Sequence, residues 1–115
     1  MNASTCIFCK ILNKQIPAQI VMEDEQVFVI KDIAPKAPIH FLIIPKKHVA
    51  DIVSLQQEDA VYAAAILLMA QKLSKNVDGA HAFKLVCNNG AAIGQSVFHV
   101  HFHFLAGSRL SSFDV

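Results

Sequence analysis

The sequence carries no excess of charge of either sign: ten Lys and Arg stand against nine Asp and Glu, a formal net charge of +1. That balance excludes a broad electrostatic grip on nucleic acid or on an anionic membrane, so any bound anion has to be caught by local groups. A long hydrophobic run is also missing. The longest, residues 60–70, has eleven residues, well short of the roughly 20 that a bilayer-spanning helix needs. Residues 1–5 contain neither a basic segment nor an apolar core, so no secretory signal is read there and a cytoplasmic protein is expected. Three cysteines are an odd and small number; they make no disulfide framework and agree with a reducing compartment.

What the chain does have is apolar residues, 54% of the 115. The length gives one domain over residues 1–115, with a single core. A domain this small cannot hide so much apolar surface inside itself, and an oligomer is the natural outlet.

The most informative stretch is residues 98–105, where His99, His101 and His103 alternate with Val100, Phe102 and Phe104. In a strand, alternate side chains share a face, so the three histidines line one face and the apolar residues the other. Half of the six histidines in the chain fall within those few positions, which solvation of a surface strand does not explain. Imidazole titrates near neutral pH and serves as nucleophile, acid, base or metal ligand.

Upstream, Cys6-Ile7-Phe8-Cys9 precedes a short helical stretch that stops at Pro17. A C-x-x-C pair reads as a zinc half-site, a redox pair or an accident, and the redox reading wants a preceding strand for which there is no room. Residues 19–23 and 27–31 form a predicted β-hairpin about the polar turn Asp24-Glu25-Gln26. Asp32 follows at a strand-to-loop junction, where it either caps the turn or grips a pair of ribose hydroxyls. Residues 39–44 make a third strand, apolar enough to be central. After it comes Lys46-Lys47-His48, in which His48 is one possible third ligand for the cysteine pair.

One long helix is predicted over residues 56–76, apolar all round its middle, so it has to bury more than one face. One face fits the sheet; the other fits a second copy of the chain, which makes a homodimer the structural expectation. A fourth strand, residues 83–87, leads to the loop 88–96. There Gly94 lets a backbone N–H approach a ligand and Ser96 adds a hydroxyl, a plausible phosphate cradle, although an ordinary hairpin connection has the same composition. Cys87 reads as a small buried residue.

Taken together, these segments resemble the histidine triad (HIT) family. The signature His-φ-His-φ-His-φ-φ, with φ apolar, stands here at residues 99–105 after Gly94-Gln95-Ser96, and residues 32–35, 40–42 and 45–48 resemble the Hint branch in order and spacing. The resemblance implies an α+β fold: an antiparallel sheet of about five strands, one long helix and a short N-terminal helix, with two subunits joining into a continuous sheet. It implies a hydrolase that cleaves a bond to the α-phosphate of a purine nucleoside 5′-phosphoramidate through a nucleotidylated His101. His103 and Ser96 are then expected at the phosphate and the leaving group, with His40 in the same polar network. Asn88, Gly94 and Gln95 are expected at the phosphate end, Asp32 at the ribose, and Ile11 and Ile33 at the base. In relatives that carry the N-terminal C-x-x-C, it implies a structural zinc on Cys6, Cys9, His48 and His99, and no catalytic metal.

A dinucleoside polyphosphate hydrolase is the alternative within the same chemistry, and a nucleotide-binding interaction module the alternative outside it. The chain departs from many Hint relatives in ending without a Trp/Pro-bearing tail, at Ser111-Ser112-Phe113-Asp114-Val115, and in placing Ile93 where the loop is often more polar.

Overall fold

The computed structural model describes residues 3–107; Met1, Asn2 and the tail from Ser108, with its Ser111-to-Val115 end, lie outside the described residues. A short helix α1, Ile7–Leu12, is followed by strands β1, Ile20–Glu23, β2, Val27–Lys31, and β3, Ile39–Pro45. The long helix α2, Ala60–Asn76, then leads to β4, Phe83–Val86, and β5, Phe102–Ala106. The strands form one antiparallel sheet in the order β1-β2-β3-β5-β4. This is the α+β arrangement expected from the sequence. Among the described residues, no helix is long and apolar enough to cross a membrane.

The two faces of the sheet follow from the strand period of two. Val27 and Val29 of β2, Phe41 and Ile43 of β3, and Phe104 of β5 point to one side, where Ala65, Ile66, Met69, Ala70 and Leu73 of α2 cover them. Phe28 and Ile30, with Leu42 and Ile44, point to the other side and pack on Cys6, Phe8, Cys9 and Ile11. Each apolar β2 residue is therefore core for one layer or the other, which is why the strand reads as nearly continuous hydrophobics. The buried α2 positions recur at helical spacing. The opposite side of the helix leaves Leu67 and Leu68 more than half exposed and Val61 about half exposed.

The β1–β2 turn forms where the sequence puts it, because the Asp24 carboxylate accepts from the N–H groups of Gln26 at 2.8 Å and Val27 at 2.9 Å. The long helix starts later than its sequence suggests. Residues Gln57–Asp59 are a 3-10 turn, in which buried Asp59 accepts from the Gln56 N–H at 2.9 Å and pairs with the Lys47 ammonium. A carboxylate there satisfies an otherwise orphaned donor at the helix entrance and ties it to the segment carrying His48.

The histidine stretch is only partly a strand. The ladder begins at Phe102, so His99 and His101 lie outside it. The reason is local: the Val100 N–H donates to the Val49 carbonyl at 2.7 Å, and the His99 ring reaches the Pro45 carbonyl. The backbone leaves the sheet to meet the end of β3, while the alternation of side chains continues.

Candidate functional site

Two polar clusters sit on the α1 side of the sheet, joined by residues 99–101. His103 enters one of them from β5, directly opposite Leu42 of β3, and His40 of β3 lies diagonally across from it. That diagonal brings His40 Nε2 to 2.9 Å from His103 Nδ1. Asp32, just past β2, places a carboxylate oxygen 3.3 Å from the same His40 nitrogen, and its other oxygen accepts the Ala34 N–H at 2.8 Å.

Backbone groups fix which nitrogen of each ring carries the proton. The Lys36 N–H lies 3.0 Å from His40 Nδ1 and can only donate, so Nδ1 accepts and the His40 proton sits on Nε2. Nε2–H then donates to His103 Nδ1, which leaves the His103 proton on its own Nε2. His101 is set the other way. Its Nδ1 lies 2.8 Å from the His99 carbonyl, which can only accept, so Nδ1–H donates and Nε2 keeps a free lone pair. Asp32, His40 and His103 have the composition of a two-histidine, one-carboxylate metal set. The Lys36 N–H holds a proton on the His40 nitrogen where a metal needs a lone pair, and this wires the three as a hydrogen-bond chain.

Burial keeps these rings neutral. It pushes His103 down to about 4, with the neighbouring His101 and His40 adding to the shift and Asp32 opposing it. Burial also lowers His101, against its bond to the His99 carbonyl, and lowers His40, against the pull of Asp32. A neutral imidazole with a free Nε2 thus stands beside a second imidazole that presents an N–H.

Both rings open on a cavity of about 390 Å³. Of the residues singled out in the sequence, Asp32, His40, Asn88, Gly94 and Ser96 line it with them, and Ile11 and Ile33 form apolar parts of its wall. Gly94 reaches its place with φ 116°, a left-handed conformation that a residue with a Cβ rarely adopts. Gln95 is brought elsewhere. It is buried, its amide oxygen accepts from the Gly90 N–H at 2.7 Å, and its nitrogen donates to the Ala50 carbonyl at 2.8 Å and the Val97 carbonyl at 3.0 Å. Gln95 fastens the loop from within and does not line the cavity.

Sequence reasoning missed Phe8, Leu42 and Lys36, all of which line the cavity. Phe8 packs edge-on against the His101 ring, centroids 5.1 Å apart. The signal for Phe8 was its place inside the cysteine motif; for Leu42 it was the β3–β5 register, which a single strand does not reveal.

The second cluster is Cys6, Cys9, His48 and His99, whose ligand atoms all lie within 4.8 Å of one another. Cys6 Sγ is 3.3 Å from His99 Nδ1, and Cys9 Sγ is 3.3 Å from His48 Nδ1 and 3.6 Å from His99 Nδ1. A tetrahedral zinc with bonds of about 2.3 Å to sulfur and 2.0–2.1 Å to nitrogen has S···N edges of roughly 3.5 Å. His99 Nε2 donates to the Pro45 carbonyl at 2.7 Å, which turns the Nδ1 lone pair towards the sulfurs. Burial and the adjacent Cys6 push the Cys9 thiol up to about 11; a cation among the four reverses that preference. The donor set fits a closed zinc site.

Comparison with known proteins agrees with this geometry. The HIT domain model matches residues 13–110. An uncharacterized HIT-like protein of Synechocystis is 41% identical over 109 residues, 95% of this chain and 96% of that one. A HIT family hydrolase from Clostridium thermocellum superposes with a TM-score of 0.89 at 39% identity, covering 96% of this chain and 97% of its own. A Zn-bound histidine triad family protein from Mycobacterium smegmatis superposes with a TM-score of 0.79 at 28% identity, over 98% of this chain and 81% of that one. With the HIT domain model matching residues 13–110 and the fold shared almost end to end, the chain belongs to the HIT domain family.

Proposed function

We propose that the protein is a Hint-type hydrolase of purine nucleoside 5′-phosphoramidates, acting through a nucleotidyl intermediate on His101. The observation that carries this reading is the opposed protonation of two neighbouring rings: a free Nε2 lone pair on His101 and an Nε2–H on His103, both on one cavity. A nucleophile beside a hydrogen-bond donor is what displacement at phosphorus needs.

In the first step, His101 Nε2 bonds to the α-phosphorus as the P–N bond to the amine breaks. The amine departs neutral with a proton from the Ser96 hydroxyl, which water in the open cavity replaces. His103 Nε2–H meets the charge on the phosphoryl oxygens, with Asn88 and Gly94 at the same end. The hydroxide equivalent left by that proton transfer then adds to phosphorus, the bond to His101 breaks, and its lone pair returns. Asp32 holds the ribose hydroxyls, and Ile11 and Ile33 wall the base. Throughout, the His99 carbonyl keeps the His101 proton on Nδ1.

Cys6, Cys9, His48 and His99 would hold a structural zinc, and four protein donors would leave it no position for substrate, so that it would brace the fold. The Zn-bound mycobacterial relative and the fit of the four donors support it. The proposed assembly is a homodimer of single HIT domains in the cytoplasm, supported by the exposed α2 face and by β4, an edge strand with Phe83 partly exposed.

The test is AMP release from adenosine 5′-phosphoramidate, run beside a diadenosine polyphosphate. Turnover of the amidate that vanishes in His101→Ala supports the proposal. Preference for the dinucleotide moves the protein to polyphosphate chemistry, and nucleotide binding without cleavage of either makes it a binding module.

A further inference from the structure

His40 holds one ring proton between two acceptors. The Lys36 N–H, 3.0 Å from His40 Nδ1, confines that proton to Nε2. From Nε2, His103 Nδ1 is 2.9 Å away and Asp32 Oδ2 is 3.3 Å away. A single N–H cannot serve both in full. The His40 side chain is only 1% exposed, so the sharing is settled among these three residues and not by bulk water.

The two acceptors differ in what else reaches them. The Asp32 carboxylate lines the cavity, and its other oxygen already accepts the Ala34 N–H at 2.8 Å. A ligand in the cavity can therefore supply it with further donors. His103 Nδ1 faces the buried His40 ring and takes its proton from there. Because a carboxylate is charged it is the stronger acceptor, and it draws on the His40 N–H according to the charge left on it. Whenever the N–H turns to Asp32, His103 loses the bond that keeps its own proton on Nε2.

We propose that Asp32 couples ribose occupancy to the triad: ribose hydroxyls that donate to its carboxylate leave the His40 N–H to His103, which is then fixed with its proton on Nε2. The proposal rests on the reading that Asp32 grips the ribose, and it makes His40 a positioning residue that acts through His103. Discrimination against substrates without ribose hydroxyls then enters the chemical step as well as binding.

The experiment compares single-turnover rates of amine release, at saturating enzyme, for the 5′-phosphoramidates of adenosine and of 2′,3′-dideoxyadenosine. In the wild type the dideoxy compound binds more weakly and, once bound, reacts about fivefold more slowly, the worth of about one hydrogen bond. Asp32→Asn keeps an oxygen for the Ala34 N–H and turns towards His40 an amide nitrogen that cannot accept. It reacts at one rate with both substrates and handles the dideoxy compound faster than the wild type does; Asp32→Ala, with no acceptor there, does the same. Hydroxyls that change binding alone, or a dideoxy rate no faster in either variant, overturn the coupling and leave the hydrolase reading intact.

A second readout needs no turnover. The nitrogen NMR resonance of His103 Nδ1 moves upfield, towards a stronger bond, when adenosine binds and not when 2′,3′-dideoxyadenosine binds; in Asp32→Asn the two nucleosides act alike. If no amidate is cleaved, the hydrolase reading fails instead and this comparison decides on the coupling. Equal responses to the two nucleosides in the wild type, or none, overturn it.

Discussion

The Nδ1–H of His101 donates to the carbonyl oxygen of His99 at 2.8 Å, and the ring of that same His99 reaches into the cluster of Cys6, Cys9 and His48. One residue thus faces both clusters: its side chain belongs to the metal donor set and its main chain orients the ring proposed as nucleophile. Its Nε2, bonded to the Pro45 carbonyl, fixes the whole segment to the end of β3.

Loss of the metal donors is expected to act on both clusters. Cys9→Ser should abolish stoichiometric zinc in the purified protein, measured by atomic absorption, and lower unfolding stability by on the order of 3 kcal/mol. The residual folded enzyme should show a reduced kcat with a smaller change in KM, because His101 loses its orienting carbonyl and not a substrate contact. Unchanged zinc content would refute the assignment of Cys9 as a ligand.

Gln95 makes three hydrogen bonds from a buried position and lines no part of the cavity. Gln95→Ala strands the Gly90 N–H and two carbonyls, so a loss of about 2–4 kcal/mol is expected from urea unfolding. Activity should fall too, because the loop carries Ser96. A variant as stable as the wild type would show that solvent replaces these bonds.

The depressed His103 makes stability depend on pH. Its folded value is pushed down to about 4 from an ordinary 6.5, so between those values the unfolded chain binds a proton that the folded protein refuses. Stability attributable to this ring is full above 6.5 and declines as pH falls towards 4. Comparing urea midpoints at about pH 7.5 and pH 5, the wild type should lose more than His103→Asn, which shares the other titrating groups. Parallel losses in the two proteins would place the acid sensitivity elsewhere.

The free face of α2 gives a test of assembly. Leu67 and Leu68 are 63% and 56% exposed, so changing both to Glu should cost the fold only about 0.5 kcal/mol per site. If this face joins two copies, light scattering should show the wild type as a dimer and the variant as a monomer. An unchanged mass for the double variant would move the interface away from the helix.

Much of this was legible because the strand period is short and the polar punctuation is clear. Alternation along β2 and β5, the Asp24 turn and the helical run each have local sequence signatures, and the two cysteines with His48 and His99 are recognisable as ligand types. The departures have non-local causes. The stretch around His99 leaves the sheet because Val49 and Pro45 offer carbonyls from another part of the chain. Gln95 turns inward because Ala50 and Gly90 need partners. The protonation pattern depends on the Lys36 N–H and the His99 carbonyl, and backbone groups carry no residue-type signal.

The central claim is that His101 Nε2 bonds to the α-phosphate. Its most direct test is rapid alkaline quenching during turnover of adenosine 5′-phosphoramidate, followed by peptide mapping by mass spectrometry. The account predicts AMP on His101, formed with a burst of amine that precedes AMP release. AMP on His103 instead, or amine and AMP released together with no modified peptide, would contradict it.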